Sequence, residues 1–374
     1  MANIEEIEKK VGQLFFVGIP GTGFDSEAMH TCIRVGVGGI ILFKHNYESV
    51  EQLVNLTSAI QKNMIPSSYK GLPAWIGVDQ EGGRVQRFKD PFTILPPQDV
   101  WTKVGSPKAC FEAGFVLGKE LRACGISVNF APVIDVLQGE SRAIGDRSFS
   151  ADPEEVATLG SAVVRGIQKS GVLSVAKHFP GHGGVQADSH EELPVSKKTL
   201  KELESIDWPP FKKSIRSRVE GIMTAHILFP EVDASRPATF SRIFLQDQLR
   251  KNLRYQKLIF SDDLEMGAVA SRYDLKEAAF LAVEAGCDQL LFGHKWDQIE
   301  DVWQHLVKAF VDGVLPMERL DESIARISES KMAHLSPYRA PSIEEAKAFV
   351  GHAAHKELAA AIGRGEVPKI VSEA

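Results

Sequence analysis

The chain has 374 residues, 44% hydrophobic and 25% charged, which is enough material for one large core or two smaller ones. A formal net charge of −6 and a pI near 6.0 leave no electrostatic footprint for nucleic acid or an anionic membrane, so neither is expected as a partner. No apolar run approaches the ~20 residues that span a bilayer.

The start of the chain, MANIEEIEKKVGQ, reads as an acidic helix instead of a basic stretch followed by an apolar core, and the expected location is therefore the cytoplasm. Short apolar runs flanked by glycine then recur at 13–18, 36–43, 74–79, 126–135, 172–178, 221–229, 257–263 and 287–293. Each is too short for a helix and reads as a buried strand. The segments between them carry helical periodicity, as in Val156, Leu159, Val163, Val164 and Ile167. That helix has a readable start, with Asp152 as N-cap, Pro153 at the first helical position and Glu155 placed for a capping box, and a readable end at Gly171. Cys32, Cys110, Cys124 and Cys287 are far apart in apolar surroundings and read as reduced core residues. After Gly313 the chain looks helical at 317–331 and again at 343–362, with a proline-containing connector at 336–341.

Eight strands alternating with helices predict an α/β fold, the (β/α)₈ TIM-type barrel, with a doubly wound open sheet as the competing architecture. The expected division is a barrel over 1–335 and a helical extension over 336–374. A barrel collects reactive side chains at the C-terminal ends of its strands. The predicted strands end at or near Asp79, Asp135, Lys177 and His178, His226, Asp262 and Asp263, and His294.

Three stretches have the composition of a site. In DQEGGRVQR at 79–87, Asp79 and Arg87 flank a Gly-Gly turn and can converge on a polar ligand or form a structural ion pair. Arg147 and Asp135 raise the same question, and Asp146 reads as a local partner of Arg147. KHFPGHGGVQADSH at 177–190 admits three readings. His178, His182, Asp188 and His190 form a metal site; or they are structural polar groups; or Asp188 and His190 are a dyad in which the carboxylate orients an imidazole that moves protons. In SDDLEMGA at 261–268, adjacent Asp262 and Asp263 point to opposite sides of an extended chain, so one faces the barrel mouth while the other turns away or caps the next helix. The inward carboxylate suits a nucleophile, a metal ligand or a sugar-hydroxyl acceptor.

Together these three motifs resemble the family 3 glycoside hydrolases, and among them the single-domain bacterial β-N-acetylglucosaminidases of cell-wall recycling; the resemblance runs from about residue 8 to 330. It implies a retaining glycosidase with Asp262 as nucleophile, His190 as general acid/base and Asp188 as its orienting partner. It further implies a sugar pocket lined by Asp79, Arg87, Arg147, Lys177 and His178, a small carbohydrate substrate, and neither metal nor cofactor. Phe179 to Ala187 is expected to be a mobile loop that delivers the Asp188–His190 dyad, and His182 is left without a role.

Overall fold

The computed structural model describes residues 3–185 and 193–372. Its centre is a closed barrel of eight parallel strands: β1 Phe15–Gly18, β2 Gly39–Leu42, β3 Trp75–Val78, β4 Val128–Asn129, β5 Leu173–Phe179, β6 Gly221–Thr224, β7 Leu258–Asp263 and β8 Gln289–Phe292. Each strand pairs with the next in sequence, and β8 closes on β1 through Phe15↔Leu290 and Val17↔Phe292. The (β/α)₈ expectation therefore holds and the open sheet does not, because an open sheet has two unpaired edges and this one has none.

The barrel interior is filled by aromatic rings. Phe16, Phe130 and Phe260 meet edge to face with centroids 5.4–6.1 Å apart. Gly39 and Gly77 on the neighbouring strands leave room for them: a Cβ on either would come within 2.6–2.9 Å of the Phe16 ring. Large side chains from one strand thus use the space that small residues leave on the next.

Two expected elements are shorter than predicted. The run 126–135 pairs as a strand only over Val128–Asn129, and pairing resumes at Val133 opposite Lys177. Pro132 has no N–H to continue the ladder, although its carbonyl still accepts from Lys177 N at 3.2 Å. The predicted helix 343–362 is two helices, Ile343–Phe349 and Ala353–Gly363, because Val350 is extended and Gly351 adopts φ +67°. The helix Pro153–Lys169 starts at Asp152 as expected, but Glu155 forms no capping box. Asp152 Oδ1 accepts from Glu154 N, and the Asp152 amide that Glu155 would have met donates to Ser150 Oγ. All four cysteines are buried and unbridged.

Candidate active site

The strand ends converge as the barrel requires. Asp79, Lys177, His178, Asp262, Asp263 and His294 border a cavity of about 620 Å³ at the C-terminal mouth, together with Glu81, Arg87, Arg147 and His182. Directly after β3 the chain makes a small antiparallel hairpin, Gln80–Gly82 against Val85–Gln86, which folds Asp79, Glu81 and Arg87 back over the mouth.

The polar wall is an ion network. Glu81 receives Arg147 at two atoms, Nε at 2.9 Å and a terminal nitrogen at 2.8 Å, and Lys177 Nζ at 2.7 Å. Lys177 also reaches Asp79 at 2.7 Å, and Arg87 lies 3.5 Å from Asp79. Burial alone would raise the Glu81 pKa, but the charges of Arg147 and Lys177 outweigh it and hold the carboxyl well below the ordinary range. Lys177 is likewise opposed by burial, yet Asp79 and Glu81 keep it protonated. Three cations, Arg87, Arg147 and Lys177, thus face two carboxylates, and the wall is rich in fixed donors for hydroxyl and carbonyl oxygens.

Glu81 is the residue sequence reasoning missed, and it is the hub of this wall. The signal was present: Asp79 and Glu81 are two apart on extended chain, so they share a face. Asp146 is not the partner of Arg147, as its proximity in sequence suggested; it pairs with Arg84 at 2.9 Å.

Asp135, fully buried, organises the next side chains. Its Oδ2 is 2.7 Å from His178 Nδ1, and its carboxylate also accepts from the backbone amides of His178 and His182. The contact makes His178 Nδ1 a donor and leaves Nε2 for a ligand. His182 stacks edge to face on His178, and burial with the neighbouring imidazole pushes its pKa down to about 4, so it is neutral. His226 lies behind the strand ends: Nε2 donates to the Asp263 carbonyl at 3.0 Å and Nδ1 is 2.9 Å from the Thr239 hydroxyl.

Asp262 and Asp263 both border the cavity but live in opposite fields. Burial pushes Asp262 up; His178, His226, the Asp263 amide at 2.8 Å and Lys177 together outweigh it, so its carboxyl lies below the ordinary range. Asp263 Oδ1 accepts from the amides of Glu265 and Gly293, and burial with the negative charges of Glu265 and Asp262 raises its pKa to about 7. Asp263 caps the turn after β7 but does not turn away from the mouth as alternation along the strand predicted, since it borders the cavity beside Asp262, and Asp262 is the carboxylate kept ionised at neutral pH.

Asp188 and His190 lie outside the described residues. The first part of the expected mobile loop does not look like one: Phe179, Pro180, Gly181, His182, Gly183 and Val185 are buried. His182 N donates to Asp135, and Gln138 N donates to the Gly183 carbonyl at 2.9 Å. Buried backbone needs partners, and Asp135 and Gln138 supply them. Among the described residues no group of three His, Cys, Asp or Glu side chains is placed to hold a metal ion.

Residues 6–330 match the glycosyl hydrolase family 3 N-terminal domain. The chain belongs to glycoside hydrolase family 3. A β-hexosaminidase of Thiobacillus denitrificans is 40% identical over 334 residues, 88% of each chain, and one of Neisseria meningitidis is 42% identical over 283 residues, 74% of this chain and 76% of its own. Among solved structures, a family 3 β-N-acetylglucosaminidase from Paenibacillus superposes with TM-score 0.87 at 33% identity, covering 96% of this chain and 68% of its own. NagZ from Neisseria gonorrhoeae in complex with N-trifluoroacetyl-D-glucosamine superposes with TM-score 0.76 at 34% identity, covering 94% and 97%. This family 3 enzyme is a glycoside hydrolase of the β-hexosaminidase type.

Two outcomes follow for the family 3 site from its electrostatics. Glu81→Ala leaves Arg147 buried without its counter-charge and Lys177 with Asp79 alone, and removing one member of a buried pair costs about 3–5 kcal/mol. Urea unfolding measures it; a loss under about 1 kcal/mol would mean that the network contributes no stability. Asp263 holds its proton to about pH 7 in the folded state and to an ordinary carboxylate pKa when unfolded. Between those values the folded state binds more protons, so Asp263 makes stability fall as pH rises from about 4 to 7. Thermal melts at pH 5 and pH 8 should show a smaller drop in Asp263→Asn than in the unmodified enzyme.

Proposed function

We propose that the protein is a retaining exo-β-N-acetylglucosaminidase in which Asp262 is the nucleophile and His190, oriented by Asp188, is the general acid/base. The observation that carries the reading is Asp262 itself: a carboxylate at the end of β7, in the cavity, held ionised by His178, His226 and Lys177. The gonococcal relative that carries an N-acylated glucosamine supports the same class of sugar here.

Asp79, Arg87, Arg147, Lys177 and His178 bind the terminal sugar. Asp79 accepts from hydroxyls, Arg87 and Lys177 donate, and the imidazole of His178 is fixed by Asp135. Glu81 acts at one remove by holding Arg147 and Lys177. Asp262 attacks the anomeric carbon as the bond to the leaving group breaks, and His190 gives its proton to the departing oxygen. In the second half His190 takes a proton from water, the water oxygen bonds to the anomeric carbon, and Asp262 leaves as carboxylate. Muropeptides or related β-N-acetylglucosaminides in the cytoplasm are the proposed substrates.

The test compares 4-nitrophenyl N-acetyl-β-glucosaminide with the β-glucoside and β-xyloside. A site built to bond an acetamide rejects the sugar lacking it, so kcat/KM should be at least about 10²-fold higher for the first. A preference for the glucoside would overturn the substrate class.

A further inference from the structure

The family match ends at residue 330, yet the helices Ile343–Phe349 and Ala353–Gly363 are docked onto the barrel and reach the loop that carries Asp79, Glu81 and Arg87. The junction is one buried carboxylate, Glu120 on the helix Pro107–Ala123. Thr93 N donates to its Oε2 at 2.8 Å and Thr93 Oγ1 to its Oε1 at 2.6 Å. Gly351 N donates to Oε1 at 3.0 Å, and His355 Nδ1 lies 2.8 Å from the same oxygen. Two donors therefore come from the β3 loop and two from the C-terminal extension. Contact between the two segments is also direct: a Cβ on Gly351 would lie 1.9 Å from the Pro91 carbonyl oxygen.

Thr93 is tied in turn to the site. Its carbonyl accepts from Gln86 Nε2 at 3.0 Å, and the same amide group bonds the Phe88 carbonyl and the Leu95 amide. Gln80 holds Phe88 from both sides, donating to its carbonyl at 2.8 Å and accepting from its amide at 3.1 Å. Gln80 stands between Asp79 and Glu81, and Gln86 and Phe88 flank Arg87. An apolar contact would hold the extension in place without setting distances; four directional bonds to one carboxylate fix the loop in position as well.

We propose that the C-terminal extension braces the sugar-binding loop through Glu120, and that Glu120 and His355 are positioning residues for substrate binding. The proposal rests on the assignment of Asp79 and Arg87 to the sugar. His355→Ala should raise KM for 4-nitrophenyl N-acetyl-β-glucosaminide about tenfold, the scale of one charged hydrogen bond, while kcat stays within about twofold. Hydrogen exchange in the peptide 88–97 should quicken in the same variant. His355→Asn, whose amide can donate from the place of Nδ1, should restore both readouts, and Thr93→Val, which removes the hydroxyl bond to Glu120 Oε1, keeps the amide bond to Oε2 and leaves the extension intact, should raise KM in the same direction by a smaller factor. A folded His355→Ala enzyme with KM unchanged, whatever its exchange, overturns the positioning role. Arg87→Ala is the separate control: if it leaves KM unchanged, the sugar-site assignment is what fails.

Discussion

Asp262→Ala is expected to lower kcat/KM by at least about 10⁴-fold on both nitrophenyl and sugar leaving groups, the scale seen when a nucleophile is deleted. The equal loss is diagnostic, because glycosylation of the enzyme precedes every later step whatever group departs. Asp263→Asn is the necessary companion. The two acids are adjacent and both border the cavity, but Asp263 spends an oxygen on the Glu265 and Gly293 amides and holds its proton to about pH 7. Its replacement should keep activity within about tenfold, since the amide retains an oxygen for those bonds. Azide added to Asp262→Ala should restore part of the turnover and yield the inverted glycosyl azide, as a small anion fills the space of the lost carboxylate. A residual activity near that of the unmodified enzyme, or loss in Asp263→Asn instead, would move the nucleophile to another residue.

His190→Ala should separate substrates by leaving group. On a sugar leaving group, which must be protonated as it departs, the loss should be about 10²–10⁴-fold; on nitrophenolate, which departs unprotonated, it should be much smaller. The described residues on either side of 186–192 lie at the C-terminal ends of the strands. On one side His182 N is bound to Asp135 beside β5, and on the other Val195 bridges Leu228 just after β6. Equal losses on both substrates would make His190 a positional residue. Asp188→Asn should produce a weaker version of the same pattern, because in the proposed mechanism the carboxylate orients and tunes the imidazole without exchanging a proton with substrate.

The barrel and most of its mouth are legible in the sequence. Strand-like runs of six to ten residues between amphipathic helices repeat locally, and the polar residues near their ends mark most of the mouth. Asp79, Lys177, His178 and Asp262 were found this way, and all four border the cavity. The pairings among these groups depend on partners distant in sequence. Glu81 meets Arg147 across 66 residues, and Lys177 meets Asp79 across 98. The nearer candidate, Asp146 beside Arg147, was the wrong partner because consecutive side chains diverge. Glu120 gave no signal at all, since its role exists only where Thr93, Gly351 and His355 come together.

The order of strands and helices and the inventory of ionisable groups at the strand ends, Asp262 and Asp263 among them, follow from the sequence, because each depends on residues a few positions apart. Which of those two carboxyls is ionised does not. They are the same chemical group on neighbouring residues, and only the closed barrel brings His178, His226 and Lys177 to bear on Asp262 while burying Asp263 beside Glu265, two residues on. Protonation is decided by charge and burial in three dimensions.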